Sequence, residues 1–265
     1  MKNKVAVITG GNGTIGSIFA KGLAAAGANV FILGRNEDKS NKVIAQLKEE
    51  GLTIQSILCD VLDEKSVQSA AQKIVDITGK VDILVNCAGG NMSGATVMPD
   101  QSIFDIDIAQ FRKVNDLNLL GTVIPSIAFA KSMVKNGQGN IINISSMAAA
   151  LPLTRVVGYS ASKAAIDNFT RWMAVEMANK YGDKIRVNAI APGFFVAEQN
   201  RKLLLNDDNS LTSRGETIVR QTPMKRFGHP EELISTLLWL CDDASSFVTG
   251  IVVPVDGGFS AFSGV

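Results

Sequence analysis

A chain of 265 residues with 26 basic and 25 acidic side chains, net charge +1, shows no basic patch for nucleic acid or an anionic membrane and no acidic tail. That length suits one large α/β domain, able to bury roughly three quarters of its unfolded surface without a staple. Cys59, Cys87 and Cys241 are widely spaced within apolar runs and His229 is the single histidine, so reduced thiols in the cytoplasm are expected, and no metal site.

Met1-Lys2-Asn3-Lys4 leads directly into Val5–Ile8, a buried strand with Thr9 next, so no signal peptide is expected. Gly10-Gly11-Asn12-Gly13-Thr14-Ile15-Gly16 follows, then a helical stretch from Ser17 to Ala26. Between a first strand and a helix, Gly11-x-Gly13-x-x-Gly16 has the spacing of a dinucleotide-binding turn. Glycines let the backbone approach a pyrophosphate, and the helix points its positive N-terminus at that group. Further strands are expected at Asn29–Leu33, Ile54–Leu58, Val81–Val85, Asn140–Ile144, Ile185–Ile190 and Ile251–Val255. Gly27, Gly51, Gly79 and Gly182 end the helices before four of them. Strands alternating with helices imply a single doubly wound Rossmann domain over 1–265, a seven-stranded parallel sheet with helices on both faces. No apolar run reads as long enough to span a bilayer.

Ligands in such sheets bind at the carboxyl ends of the strands, where Thr9, Gly34, Asp60, Asn86, Ser146 and Pro192 all fall. A carboxylate ending the second strand normally takes the ribose hydroxyl of NAD; here Gly34 holds that place and Arg35 follows. Arg35 offers donors suited to a 2′-phosphate, so NADP(H) is favoured over NAD(H). The alternative for Arg35 is a solvated loop residue or one stacked on adenine. The segment 194–224 is polar and turn-rich at its centre and is placed to cover a substrate.

Tyr159 and Lys163 stand four residues apart, on one face of a helix, with Ser146 thirteen residues before the tyrosine. A free phenol with a pKa near ~10 is a poor acid or base at neutral pH, and a cation close by lowers that value. The pair therefore reads as an acid/base catalyst for carbonyl–alcohol interconversion, with the Ser146 hydroxyl on the reacting oxygen.

These motifs together resemble the short-chain dehydrogenase/reductase family over essentially the whole chain. Thr9, Gly10 and Gly16 match its glycine turn, with Thr14 where a middle glycine is usual and Gly13 one residue earlier. Asn86-Cys87-Ala88-Gly89, Asn118-Leu119-Leu120-Gly121, Pro192-Gly193 and Asp256-Gly257-Gly258 match its later motifs. The resemblance implies hydride transfer between a nicotinamide and a carbonyl or alcohol, with Asn118, Ser146, Tyr159 and Lys163 catalytic. It gives Asn118 a water that links Lys163 to solvent, and Lys163 the nicotinamide ribose. Cofactor contacts are expected from Gly10, Asn12, Gly13, Thr14, Ile15, Gly16, Arg35, Val61, Asn86, Ala88, Gly89, Tyr159, Lys163, Pro192 and Gly193. Asp60 either binds adenine or caps the next helix. A non-catalytic nucleotide sensor is the rival reading, disfavoured by the intact proton relay.

Gly89-Gly90-Asn91, Asn143-Ile144-Ser145-Ser146-Met147, Pro192-Gly193-Phe194-Phe195, Glu198-Gln199-Asn200-Arg201 and the end from Phe259 to Val265 look like the family's sugar-acid subgroup, the D-mannonate oxidoreductases. That likeness implies a D-fructuronate/D-mannonate pair, or another keto sugar acid or polyol such as 5-keto-gluconate. Arg155, Gln199, Asn200 and Arg201 are the candidate donors to a hydroxylated, anionic substrate. The apolar tail with Phe259 and Phe262, together with the family, implies a homotetramer.

Overall fold

The computed structural model describes residues 1–197 and 200–264. All strand pairs are parallel, in the order β3-β2-β1-β4-β5-β6-β7. The strands are β1 Val5–Thr9, β2 Asn29–Gly34, β3 Ile54–Leu58, β4 Ile83–Asn86, β5 Gly139–Ile144, β6 Ile185–Pro192 and β7 Val252–Val255. Ten α-helices are α1 Thr14–Ala25, α2 Glu37–Glu49, α3 Glu64–Thr78, α4 Ile108–Asn115, α5 Gly121–Asn136, α6 Met147–Ala150, α7 Val157–Tyr181, α8 Arg201–Leu204, α9 Ser213–Gln221 and α10 Leu233–Cys241, among the described residues. Strand order reverses between β1 and β4, which opens a crevice above their carboxyl ends.

Alternating side chains send each strand's apolar residues to both faces, which is why the strands are apolar nearly throughout. Val7, Leu84, Ile141 and Val187 meet Ile74, Phe129, Met133 and Met177 from α3, α5 and α7. Ala6, Ile8, Val85 and Ile142 meet Phe19, Leu23, Leu237 and Leu240 from α1 and α10. The four glycines expected to end helices all have positive φ, from +78° at Gly51 to +92° at Gly182.

Two expectations need correction. β4 starts at Ile83 and not Val81, because the Asp82 carboxylate turns inward to accept the Val5 N–H at 2.7 Å. The second concerns apolar length. A π-turn at Asp116–Leu120 joins α4 to α5, and the continuous helix Ile108–Asn136 is long and apolar enough by length and composition to cross a membrane, with mean hydropathy 1.4. Asn118, Thr122 and Ser126 interrupt its apolar run in the sequence, which hid it. Half of its most apolar window is buried inside the domain, and α5 packs between α3 and α7.

Candidate active site

Thr9 closes β1 with a buried hydroxyl that accepts the N–H groups of Cys87 at 3.1 Å and Ala88 at 3.2 Å. It thereby fastens the loop after β4 to the end of β1. Gly10 follows at φ +63°, and a Cβ there would stand 2.8 Å from the Ala88 Cα, so the two loops close only on glycine. A Cβ at Gly16 would run into the Gly10 carbonyl. Gly13 supplies no left-handed turn; its φ of −89° suits any residue, and Thr14 is simply the first residue of α1. The first turn of α1 has neither a side-chain cap nor an acidic residue. Its leading N–H groups are left for an anion such as a pyrophosphate.

A cleft of about 370 Å³ rises from this turn and is lined by Gly10, Asn12, Gly13, Thr14, Ile15, Gly16, Arg35, Val61, Ala88, Gly89, Tyr159 and Lys163. The sequence reading missed Lys39, Cys87, Gly90 and Leu117, which line it too. Lys39 was detectable as a second cation four residues beyond Arg35. Asn86, expected as a cofactor contact, lies beneath the cleft floor. Its amide donates to Ser126 Oγ at 2.8 Å and Asn143 Oδ1 at 2.9 Å, and Asn143 donates in turn to Thr170 at 2.8 Å. The chain of polar groups links β4, β5, α5 and α7. Asp60 accepts the Leu62 N–H at 3.0 Å and stands 3.9 Å from Arg35, while Asp63 and not Asp60 caps α3. Pro192 ends β6, and Gly193 abuts Asp256, whose Cα a Cβ would meet at 2.7 Å. At Gly34 a Cβ would meet the Asn12 amide, which donates to the Asn36 carbonyl at 3.1 Å and Ser40 Oγ at 3.0 Å. Asn12 thus fills the space a carboxylate side chain on β2 would need.

Ser146 caps α6, accepting the Ala148 N–H at 3.2 Å, and its hydroxyl is hydrogen-bonded to the Tyr159 phenol. Tyr159 and Lys163 lie one turn apart near the start of α7, as their spacing requires. The Lys163 ammonium donates to the Ile144 carbonyl at 2.6 Å and stands 5.5 Å from the Tyr159 ring centre. Held by β5 over the ring face, its charge does not outweigh burial of the phenol, so the net lowering that the sequence suggested does not appear. Burial instead pushes the Tyr159 pKa up, outweighing the Ser146 hydrogen bond. Burial pushes Lys163 down to about 8, with Cys87 and Asp167 opposing. The Cys87 thiol is pushed up to about 12 by burial.

Asn118 is fully buried within the π-turn. Its amide accepts the Gly90 N–H at 3.0 Å and donates to the Gly90 and Val114 carbonyls, both at 2.8 Å. The side chain therefore pins the Gly89-Gly90 loop against the lysine: a Cβ at Gly89 would stand 2.6 Å from Asn118 Oδ1 and 3.5 Å from Lys163 Nζ. An inserted residue in a helical turn, a feature frequent at functional sites, sets that orientation.

On the substrate side the candidates divide. Asn200 closes a local turn, its amide accepting the Ala197 N–H at 2.7 Å and donating to the Phe195 carbonyl at 2.9 Å. Arg201 is exposed and donates to Asn209. Gln199 lies outside the described residues. Arg155, half-buried at φ +77°, sits in the loop that enters α7, its carbonyl accepting the Val97 N–H at 2.9 Å. Sequence reasoning did not find Arg214 of α9, which donates to Thr154 Oγ1 at 3.3 Å. In the tail, Phe259 packs edge-on against Phe194 at 5.1 Å, while Phe262 is exposed.

The chain belongs to the short chain dehydrogenases, whose family profile matches residues 4–208, and is an oxidoreductase built on a single Rossmann-type domain. It is 47% identical to the uncharacterized oxidoreductase UxuB of Bacillus subtilis, covering 100% of this chain and 98% of that one. A solved structure from Haemophilus influenza, proposed to be a D-mannonate oxidoreductase and holding NAD, is 43% identical with a TM-score of 0.92, covering 100% and 98% of the two chains. A gluconate 5-dehydrogenase from Burkholderia cenocepacia, in complex with NADP and tartrate, is 31% identical with a TM-score of 0.85, covering 99% and 97%.

Proposed function

We propose that this oxidoreductase interconverts a keto sugar acid and its hydroxy acid, D-fructuronate and D-mannonate first among them, with NADP(H) preferred over NAD(H). The observation that carries the chemistry is the meeting of Tyr159 and Lys163 with an uncapped helix start and a bare glycine turn in one cleft, with Ser146 hydrogen-bonded to the tyrosine. The full-length likeness to the Haemophilus structure supports the substrate. Absence of a carboxylate at Gly34, with Arg35 and Lys39 on the cleft, supports the coenzyme preference.

The turn from Gly10 to Gly16 and the first N–H groups of α1 fit the pyrophosphate; Arg35 would hold the 2′-phosphate and Lys163 the ribose. A nicotinamide held there would supply the hydride in reduction and take it up in oxidation. Ser146 holds the substrate carbonyl oxygen and Tyr159 delivers the proton. Burial keeps the phenol protonated, the form that reduction requires. Lys163, anchored on Ile144, places positive charge beside the phenolate left behind. Asn118 shapes the Gly89-Gly90 loop. The segment 194–224 covers the substrate, and four chains assemble.

The test is reduction of D-fructuronate beside 5-keto-gluconate and an uncharged ketose, with NADPH and NADH titrated by fluorescence. Preference for D-fructuronate with tighter NADPH is expected. Equal turnover of the uncharged ketose overturns the sugar-acid reading, and clearly tighter NADH overturns the coenzyme. Light scattering should give four times the 28.2 kDa chain mass.

A further inference from the structure

We propose that Arg155 and Arg214 form a two-guanidinium clamp for the substrate carboxylate, joining α9 to the loop that enters α7. This rests on the sugar-acid reading above and names the residues that enforce it.

Arg214 is the second residue of α9, which Thr212 caps, and its guanidinium reaches Thr154 Oγ1 at 3.3 Å, the residue next to Arg155. Two parts of the chain sixty residues apart thus meet where Arg214 reaches the residue before Arg155, close enough for each positive charge to act on the other. One part is the connection from Ser146 to Tyr159, so the clamp is built on the same connection as the groups that touch the reacting oxygen. Among the described residues neither arginine has an acidic partner. Glu216, the acidic residue in the first turn of α9, is exposed and makes no ion pair there. The N-terminus of α9 adds positive potential where an arginine is least favoured.

Each of these features opposes folding of the empty site. Burial, then the Arg155 charge, pushes the Arg214 pKa below its ordinary value. Arg155 holds a left-handed φ of +77°, fixed by the Val97 hydrogen bond. Strain and unneutralised charge that persist together mark a ligand site. An anion relieves the charge, and the planar forks of two arginines match a carboxylate's two oxygens.

Steady-state kinetics on Arg155→Ala, Arg214→Ala and Arg214→Lys, with D-fructuronate and an uncharged ketose, test the clamp. Each alanine variant should raise KM for D-fructuronate about 10- to 100-fold with kcat little changed, and leave the ketose unaffected. Arg214→Lys keeps the charge without the fork and should recover part of the loss. KM within twofold of wild type in both alanine variants, with wild type active on D-fructuronate, overturns the clamp and leaves the sugar-acid reading standing. Calorimetry with tartrate separates the two ideas should wild type reduce no sugar acid. Binding by wild type and not by Arg214→Ala keeps the clamp and removes that reading; no binding by wild type removes both.

Discussion

The two ends of the sheet bury comparable polar side chains and use them differently. At the amino ends, Asp82 accepts the Val5 N–H at 2.7 Å and pairs with Lys80 at 3.0 Å. Arg186 of β6 donates to the carbonyls of Leu240 at 2.8 Å, Val248 at 3.0 Å and Asp242 at 3.1 Å, and Asn140 of β5 donates to Leu240 at 2.7 Å. These groups cap the end of α10, where a cation belongs. At the carboxyl ends, Thr9, Asn118 and Lys163 are as deeply buried but hold loops around an open cleft. Here Arg155 and Arg214 stand without an acidic partner among the described residues, and Arg155, which is not a glycine, holds its backbone at positive φ. Burial of a polar group therefore says little about its purpose; what it is bonded to, and what is left unneutralised, separates scaffold from site.

Substitutions should break this contrast in one direction at each end. Tyr159→Phe at the carboxyl end should cut turnover by 10²–10⁴-fold while coenzyme binding and urea midpoint stay near wild type, since a positioned proton donor supplies that much. More than about a tenth of the activity surviving would remove Tyr159 from the proposed role.

The charge on Lys163 gives a pH-dependent version of the contrast. Its folded pKa of about 8 lies below the ordinary 10.5, so between those values the unfolded chain binds more protons than the folded one. Stability of the coenzyme-free protein should rise through that window, by up to about 3 kcal/mol relative to Lys163→Met. Urea unfolding at pH 7.5, 9 and 10.5 would read it; a constant difference between the two proteins contradicts the shift.

Arg186→Met at the amino end should cost about 2 kcal/mol by stranding carbonyls at the end of α10. KM and kcat should hold. A large kinetic effect without lost stability would erase the distinction between the ends. Arg35→Ala should be the mildest, weakening NADPH about tenfold and NADH hardly at all, equivalent to about 1.4 kcal/mol. Equal loss for both coenzymes would place Arg35 on the adenine.

Much of this was legible in the sequence because the signals were local. Apolar runs between C-terminal glycines marked the strands, and a four-residue spacing put Tyr159 and Lys163 on one face. What escaped depended on distant chain. The position of the Lys163 ammonium is set by the Ile144 carbonyl, nineteen residues earlier, and burial of the phenol, which no spacing rule shows, reversed the expected shift of Tyr159. Arg214 gains meaning only beside Thr154, which no spacing rule connects to it. The start of β4 turned on Asp82 preferring the Val5 N–H to an outward position. The π-turn around Asn118 leaves no mark in apolar periodicity.

The amide of Asn12 in the space above Gly34 has a historical consequence. A lineage moving from one coenzyme to the other that starts with an acidic residue at position 34 must displace the Asn12 amide and give up its bonds to Asn36 and Ser40. Emptying position 12 first removes that cost, which favours one order of mutations over the other. Gly34→Asp alone should therefore be less stable than the same change made on Asn12→Gly, and equal melting temperatures in the two backgrounds would show that either path is open.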